Sequence, residues 1–303
     1  MHSALSTVSL DKLGVLRARG PDAVSFLQGQ LSNDLARLSA ERSLLAGYHN
    51  PQGRVIAVLR LLQLAPDDLL AVLPRELIPP VAARLSKFIL RAKVKLADES
   101  PQWRVSGLLA SDSDAALPAT ENETARLGTG SVVRLAHLPA RWLLLSPVSE
   151  LPLPDTVAAA DPLSWRRLAL AAGEPQVYAA TSEEFIAQML NLDCLGAIAF
   201  DKGCYTGQEV IARAHYRGRV KRRMQRFMTR TPQQLRPAAA GTLSDGRAFK
   251  VVDAVPLDDG RCEFLAVTQL TVGSAAETVA TAGRDDTAAL EAQQLELPYA
   301  LPE

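Results

Sequence analysis

The chain lacks most of the features that would place it quickly. It has three cysteines in 303 residues, Cys194, Cys204 and Cys262. They are too few and too scattered for a disulfide framework, and none forms a CxxC or Cys/His pair with metal-ligand spacing. Aromatic residues are scarce, at 5%. Net charge is absent: 33 basic residues balance 33 acidic ones, so no global field marks a nucleic-acid or membrane-surface protein. Long apolar runs are missing too. The longest stretch without a charged residue is Phe264 to Ala276, short of the ~18 residues a membrane-spanning helix needs. Met1 to Asp11 holds no basic residue and no apolar core, which argues against a secretory signal and for the cytoplasm. There is no GxGxxG, no Walker loop and no HExxH. The four histidines, His2, His49, His137 and His215, fit no catalytic pattern, and each reads as a turn or surface residue.

What is present is an ordinary globular composition, 48% apolar and 22% charged, with a length that suits about two domains or three small ones. Residues 15–19 alternate as a strand. Gly20-Pro21 opens a helix whose Val24, Leu27, Leu31, Leu35 and Leu38 share one face. Two apolar runs, 44–48 and 55–62, flank the turn His49-Asn50-Pro51-Gln52-Gly53 and read as a hairpin. A strand at 69–73, a helix at 80–90 presenting Val81, Leu85, Phe88 and Ile89, and an alternating 93–96 follow. A second module repeats the style, with strands at 103–109, 132–135 and 141–145, a polar loop over 111–130, and helices at 163–172 and 182–192. The last of these has Thr181 and Glu184 in capping-box spacing. From about 221 only strands are expected, at 221–228, 249–255 and 262–270. Segment 274–289 is Ala/Thr-rich with no readable structure. The pattern is α+β: antiparallel modules over 1–220 with an internal boundary near 100, then a small β-barrel over 221–303.

The densest chemistry lies in Lys202-Gly-Cys-Tyr-Thr-Gly-Gln-Glu209. Thr206 and Glu209 have capping-box spacing, so Cys204 would sit just before a helix start. That position and nearby Lys202 would favour a thiolate. Gly203 and Gly207 would let the backbone approach something closely. A tight turn around a small buried cysteine has the same spacing. Downstream, Val210 to Ser244 holds nine basic residues and no acidic one: Arg213, Arg217, Arg219, Lys221, Arg222, Arg223, Arg226, Arg230 and Arg236. Such a run suits a carboxylate tail, a phosphate or RNA, or else a solvated helix end and strand face. For RNA the interleaved aromatics are few, Tyr216 and Phe227. Trp103, Trp142 and Trp165 read as core or as pocket walls.

The Lys202–Glu209 segment resembles the K-G-C-Y-x-G-Q-E motif of the YgfZ family, folate-binding proteins similar to the aminomethyltransferase (T-protein) of the glycine cleavage system. The resemblance extends over Phe26-Leu-Gln-Gly-Gln-Leu31, the hairpin around Asn50-Pro-Gln-Gly53, Trp165 to Pro175, and Leu297-Pro-Tyr299. It implies a three-domain ring of two interleaved ferredoxin-like modules and a C-terminal β-barrel, with tetrahydrofolate in the central opening. It also implies a role in maintaining iron–sulfur enzymes, one of which modifies tRNA. By the same resemblance Cys204 is the functional thiol. Trp165 supports the folate ring, and Lys202, Gly203, Tyr205, Gly207, Gln208 and Glu209 form the ligand-contacting motif. From the basic run, Arg213, Arg217 and Arg219 follow the Cys204 turn closely enough to line the rim for a folate's anionic tail. Three departures accompany it. The transferase's acidic hairpin pair falls near Ala57 and Val58, its pterin-holding carboxylate falls on Ala171, and an early Trp of some members falls near Leu13. Glu174 is a candidate replacement for the carboxylate. These departures favour a folate-binding accessory protein that serves iron–sulfur clients over the alternative, a folate-dependent one-carbon transferase.

Overall fold

A computed structural model describes residues 5–110, 117–136, 140–150, 153–154, 157–218, 220–230, 235–270 and 289–302. The chain opens with β1 (Ser6–Ser9) and β2 (Leu13–Arg19), then α1 (Ala23–Gln28), β3 (Leu44–His49), β4 (Val55–Ala65), β5 (Asp68–Pro74), α2 (Ile78–Ser86) and β6 (Lys95–Asp98). β7 (Trp103–Leu109), β8 (Thr124–Leu127), β9 (Gly130–Arg134), β10 (Trp142–Pro147) and β11 (Ala158–Ala159) lead to α3 (Pro162–Ala171) and α4 (Gln208–Tyr216). The remaining elements are β12 (Arg222–Thr229), β13 (Ala240–Thr242), β14 (Ala248–Pro256), β15 (Cys262–Gln269) and β16 (Gln293–Leu295). No helix among the described residues is long and apolar enough to cross a membrane.

Among the described residues three sheets form. The first has the order β3-β4-β5-β2-β6, and the second β11-β1-β7-β10-β9-β8. β1 and β2 are consecutive in the chain yet lie in different sheets, so the two α+β modules are interleaved, as the resemblance implies. The first sheet is buried on both faces. Leu61, Leu69, Ala71 and Leu73 face a core with α1 and α2. Leu62, Leu70 and Val72 face the second sheet through Val105, Leu143, Leu145 and Trp165. This two-sided burial explains the near-continuous apolar runs over 55–62 and 69–73. The third sheet is antiparallel, in the order β13-β14-β15-β12-β16. Leu243, just past β13, forms a parallel bridge with Leu290, just before β16. Leu290 N–H donates to the Thr242 carbonyl at 2.8 Å, and Ser244 N–H donates to the Leu290 carbonyl at 2.9 Å. These bonds join segments at the sheet's two edges, as a barrel requires.

Four expected elements need correction. The helix after Gly20-Pro21 stops at Gln28. The Gln28 side-chain oxygen takes the Leu35 amide, and Asp34 caps a 3-10 turn at Leu35–Arg37. Leu27, Leu31, Leu35 and Leu38 are nevertheless all buried. The expected helix over 182–192 does not form: 182–184 is a turn with Glu183 in the left-handed region at φ +66°, Ala187–Leu190 is a 3-10 turn, and a second 3-10 turn, Ala179–Thr181, precedes the segment. Val55 N–H donates to the Phe185 carbonyl and Glu183 N–H to the Val55 carbonyl, so this stretch is held by the start of β4. Thr181 Oγ1 accepts from Tyr178 N–H, and the Glu184 carboxylate pairs with Lys250; the capping box does not form. In α2, Val81 and Leu85 are buried but Phe88 lies beyond the helix and is exposed. The polar loop over 111–130 contains β8, and segment 274–289 falls almost wholly outside the described residues.

Gly107 on β7 packs directly against Trp165 of α3: a Cβ there would fall 2.3 Å from the indole. Gly107→Ala is expected to destabilise the protein by about 1–3 kcal/mol, the cost of overpacking a filled core. Urea unfolding checks this, and an unchanged midpoint would contradict it.

Candidate functional site

The motif Lys202–Glu209 forms a loop that leads into α4. The helix N-cap is Gly207, in the left-handed region at φ +82°, and no side chain caps it. The expected Thr206/Glu209 capping box is therefore absent. Gln208 takes that role from inside the helix, its Oε1 accepting the Tyr205 N–H at 3.0 Å. Glu209 is exposed in the first turn.

Gly207 meets the hairpin turn. A Cβ there would lie 2.5 Å from the Asn50 carbonyl oxygen and 3.1 Å from the Gly53 Cα. Gly53, at φ +71°, has its own close neighbour across the junction, the Val210 side chain. Two segments read separately from sequence, the Asn50–Gly53 turn and the Cys204 loop, thus pack backbone against backbone. Asn50 holds the turn: its Oδ1 accepts from Gln52 and Arg54 N–H, and its Nδ2 donates to Glu183. Gly203 is different, because a Cβ there would meet nothing within 4 Å. The expected close approach applies to Gly207 and not to Gly203.

Lys202 anchors the other side of the loop. Its ammonium donates to the carbonyls of Gln28, Leu31 and Asn33 at 2.7, 2.6 and 2.9 Å. Burial lowers its pKa to about 8, while three carbonyl acceptors favour the charged form. The Lys202 charge is thus used to tether the loop to the segment after α1. Its Nζ also lies 5.1 Å from the Tyr205 ring. Tyr205 is buried, which raises its pKa to about 12. Cys204, between these two anchors, is exposed. The alternative of a tight turn closing over a buried cysteine is not what the loop adopts.

Under the loop lies a residue that the sequence gives no reason to select. His49 is fully buried, against the expectation of a turn or surface histidine, and neither ring nitrogen has a hydrogen-bond partner among the described residues. Desolvation pushes its pKa down to about 3, so it is neutral. Its position just before Asn50 in the hairpin was the only available clue.

The other expected contacts are dispersed. Trp165 is 7% exposed; it packs in the inter-sheet core, with the Arg141 guanidinium 5.3 Å from its ring. Ala57 and Val58 are buried apolar residues of β4. Glu174, the candidate replacement anchor, pairs with buried Arg141 at 2.8 Å and lies 3.9 Å from buried Arg60. The Nε atoms of Arg60 and Arg141 have no hydrogen-bond partner among the described residues. The basic run divides. Arg223 pairs with Asp193 and Arg226 with Glu263. Arg213 and Arg217 are exposed on α4 and at its end. Arg219 lies outside the described residues.

No protein-family model matches the chain. The chain is 31% identical to the tRNA-modifying protein YgfZ of Yersinia pseudotuberculosis over 99% of its own length and 94% of that protein's. The protein of that name from Edwardsiella ictaluri is also 31% identical, over 88% and 85%. The chain belongs to the YgfZ family. Among solved structures, the glycine cleavage system aminomethyltransferase T of Bartonella henselae superposes with a TM-score of 0.69 at 16% identity, covering 88% of this chain and 79% of that one. The YgfZ chain and that transferase therefore share a fold.

The buried histidine gives a pH signature. An unfolded histidine titrates near ~6.5 and the folded one near 3, so the unfolded state binds the extra proton between those values. Stability attributable to His49 is complete above pH ~6.5 and declines as pH falls toward 3, by about 2 kcal/mol at pH 5. His49→Leu removes this contribution. The stability difference between wild type and variant is expected to shift by that amount between pH 7 and pH 5 in urea unfolding; an unchanged difference would contradict the assignment.

Proposed function

We propose that the chain acts as an accessory protein in tRNA modification, serving iron–sulfur enzymes through the exposed Cys204 thiol rather than transferring one-carbon units. The observation that carries this reading is the construction of the Cys204 loop. Its thiol is solvent-accessible while the residues on either side are fixed, Lys202 by three carbonyls and Gly207 by the hairpin turn. Family membership supports the setting, since the curated relatives are named tRNA-modifying proteins. Cys194 and Cys262 are half-buried thiols whose pKa values burial raises, to about 11 for Cys194. Both are poor nucleophiles at neutral pH.

The same geometry argues against aminomethyl transfer. A transferase needs a group at the hairpin to take or orient a proton. Ala57 and Val58 offer none, and both are buried.

Tetrahydrofolate is the ligand that the family resemblance attaches to this fold. The residues here fit a folate ring only without its charged anchors: Ala171 has no carboxylate, Glu174 is held by arginines, and Trp165 is enclosed. Each missing hydrogen bond to a charged group costs about 1.5–3 kcal/mol, ten- to hundredfold in affinity. No step of this proposal runs through folate. Tetrahydrofolate titrated against the purified chain, followed by tryptophan emission, is expected to bind saturably but weakly, with Kd on the order of 0.1 mM. Submicromolar binding would contradict this reading of the anchors.

The functional test is complementation in cells lacking a YgfZ protein, with tRNA nucleosides measured by mass spectrometry. Wild type is expected to restore the missing modification and Cys204→Ser to fail at equal expression. Full restoration by Cys204→Ser would overturn the thiol's role. Folate-dependent release of ammonia from an aminomethyl carrier by the purified chain would overturn the exclusion of transferase activity.

A further inference from the structure

The zero net charge hides an uneven distribution. Between Glu76 and Asp98 the sequence holds five basic residues and no acidic one: Arg84, Lys87, Arg91, Lys93 and Lys95. The stretch covers α2, the turn after it and the start of β6. Arg84 pairs with Glu183. The other four are exposed and make no ion pair among the described residues. Two large apolar side chains stand among them, Phe88 at 51% and Leu90 at 87% exposure. Leu90 is almost free of protein contact.

This strip has a firm backing. Ile89, Ala92, Val94 and Leu96 turn inward and pack against the core that contains α1 and α2. Phe88 N–H donates to the Leu85 carbonyl at 2.9 Å and Ile89 N–H to the Ser86 carbonyl at 3.2 Å, which closes the turn after α2. Lys93 N–H donates to the Asp22 carboxylate at 2.6 Å, and Asp22 N–H to the Lys93 carbonyl at 3.4 Å. Asp22 thus holds the backbone of the strip and leaves its cations unneutralised. Among the described residues β6 pairs with β2 alone and forms an edge of the first sheet. From Lys87 to Lys95 the exposed positions carry only cations and large apolar groups, at 87, 88, 90, 91, 93 and 95.

We propose that this strip docks on an anionic lipid bilayer, with Phe88 and Leu90 entering the boundary between headgroups and acyl chains and Lys87, Arg91, Lys93 and Lys95 lying on the headgroups. Two features select this occupant. The apolar pair is bracketed in the chain by Lys87 and Arg91, the order of an inserting tip with a cationic collar. A bilayer also accepts a protruding side chain without a shaped complement, whereas a protein partner must supply a well-packed pocket for each anchor. An RNA strand would use the cations and could stack on Phe88, but it offers an exposed leucine no partner. One apolar anchor or one basic patch alone attaches weakly; the two combined give reversible attachment. This inference does not rest on the role proposed for Cys204, and it stands or falls separately.

The test is flotation of the full chain with vesicles of pure phosphatidylcholine and with vesicles containing one-third phosphatidylglycerol, at low and high salt. Binding is expected to the anionic vesicles at millimolar lipid, with little to the neutral ones and loss at high salt. Arg91→Ala/Lys93→Ala is expected to weaken it about 25-fold, about fivefold per cation. Phe88→Ser/Leu90→Ser keeps the charge and is expected to weaken it about tenfold or more. Leu90→Ser alone, at the more exposed position, is expected to act in the same direction should the double variant fold poorly. Leu90→Trp is expected to shift its emission to the blue on anionic vesicles and not on neutral ones. Equal binding to both vesicle types, wild-type affinity in a folded Leu90→Ser or Phe88→Ser/Leu90→Ser variant, or vesicle binding by Leu90→Trp without a blue shift would overturn the proposal. So would no vesicle binding at millimolar lipid, whether or not a single-stranded oligonucleotide binds instead.

Discussion

The backbone contact between Gly207 and the Asn50–Gly53 turn is the constraint on which the Cys204 site depends. A side chain at residue 207 would collide with the Asn50 carbonyl and would also be strained at φ +82°. Only glycine lets the loop rest on the hairpin and still turn into α4. The Lys202 ammonium closes the other end by binding three carbonyls of the 28–33 segment. Between the two attachments Gly203 and Cys204 are both exposed, and Cys204 carries the one exposed side chain of the pair. The hairpin that serves catalysis in the transferase pattern here provides support. Its strand residues Ala57 and Val58 are packed away, and its turn carries the load of positioning the thiol loop.

Much of the fold was legible because its signals were local. The Asn50-Pro-Gln-Gly turn between two apolar runs is a hairpin in sequence and in structure. The three expected strands of the third sheet lie within a residue or so of their expected positions, since alternation and turn residues agree there, while the short edge strands β13 and β16 carry no such signal. The misreadings arose where spacing imitated a cap. Thr181 and Glu184 have the separation of a capping box, but Glu183 adopts φ +66° and Phe185 is held by Val55. Tertiary pairing overrode the local signal. Thr206 and Glu209 misled in the same way, because the left-handed Gly207 moves the helix start downstream. The stripe of leucines after Gly20 reads as one helix but spans α1 and a separate turn, with Leu27, Leu31, Leu35 and Leu38 all in the core. A 3-10 turn and a bridge to Tyr48 bury the same leucines.

Of the candidate site, the identity of the loop could be read but its mechanics could not. Lys202 was expected to act on Cys204; its partners lie more than 160 positions away in the chain, beyond the reach of any spacing argument. His49 illustrates the same limit. A lone histidine beside a turn carries no sign that the turn will be covered by a loop more than 150 residues later. Trp165 shows the converse: the residue itself reads as core or as a pocket wall and the resemblance implies a folate contact, while Gly107 and the inter-sheet core enclose it. Charge distribution gave a mixed signal. Arg223 and Arg226 neutralise buried carboxylates, and the exposed Arg213 and Arg217 remain on α4.

Amide hydrogen exchange on wild type and Gly207→Ala tests the central claim, that loop and turn form one clamped unit. The account predicts that the variant loses protection in residues 203–209 and in residues 50–55 together, while β12, β14 and β15 exchange as in wild type. Loss confined to 203–209, or no loss in either segment, would contradict it.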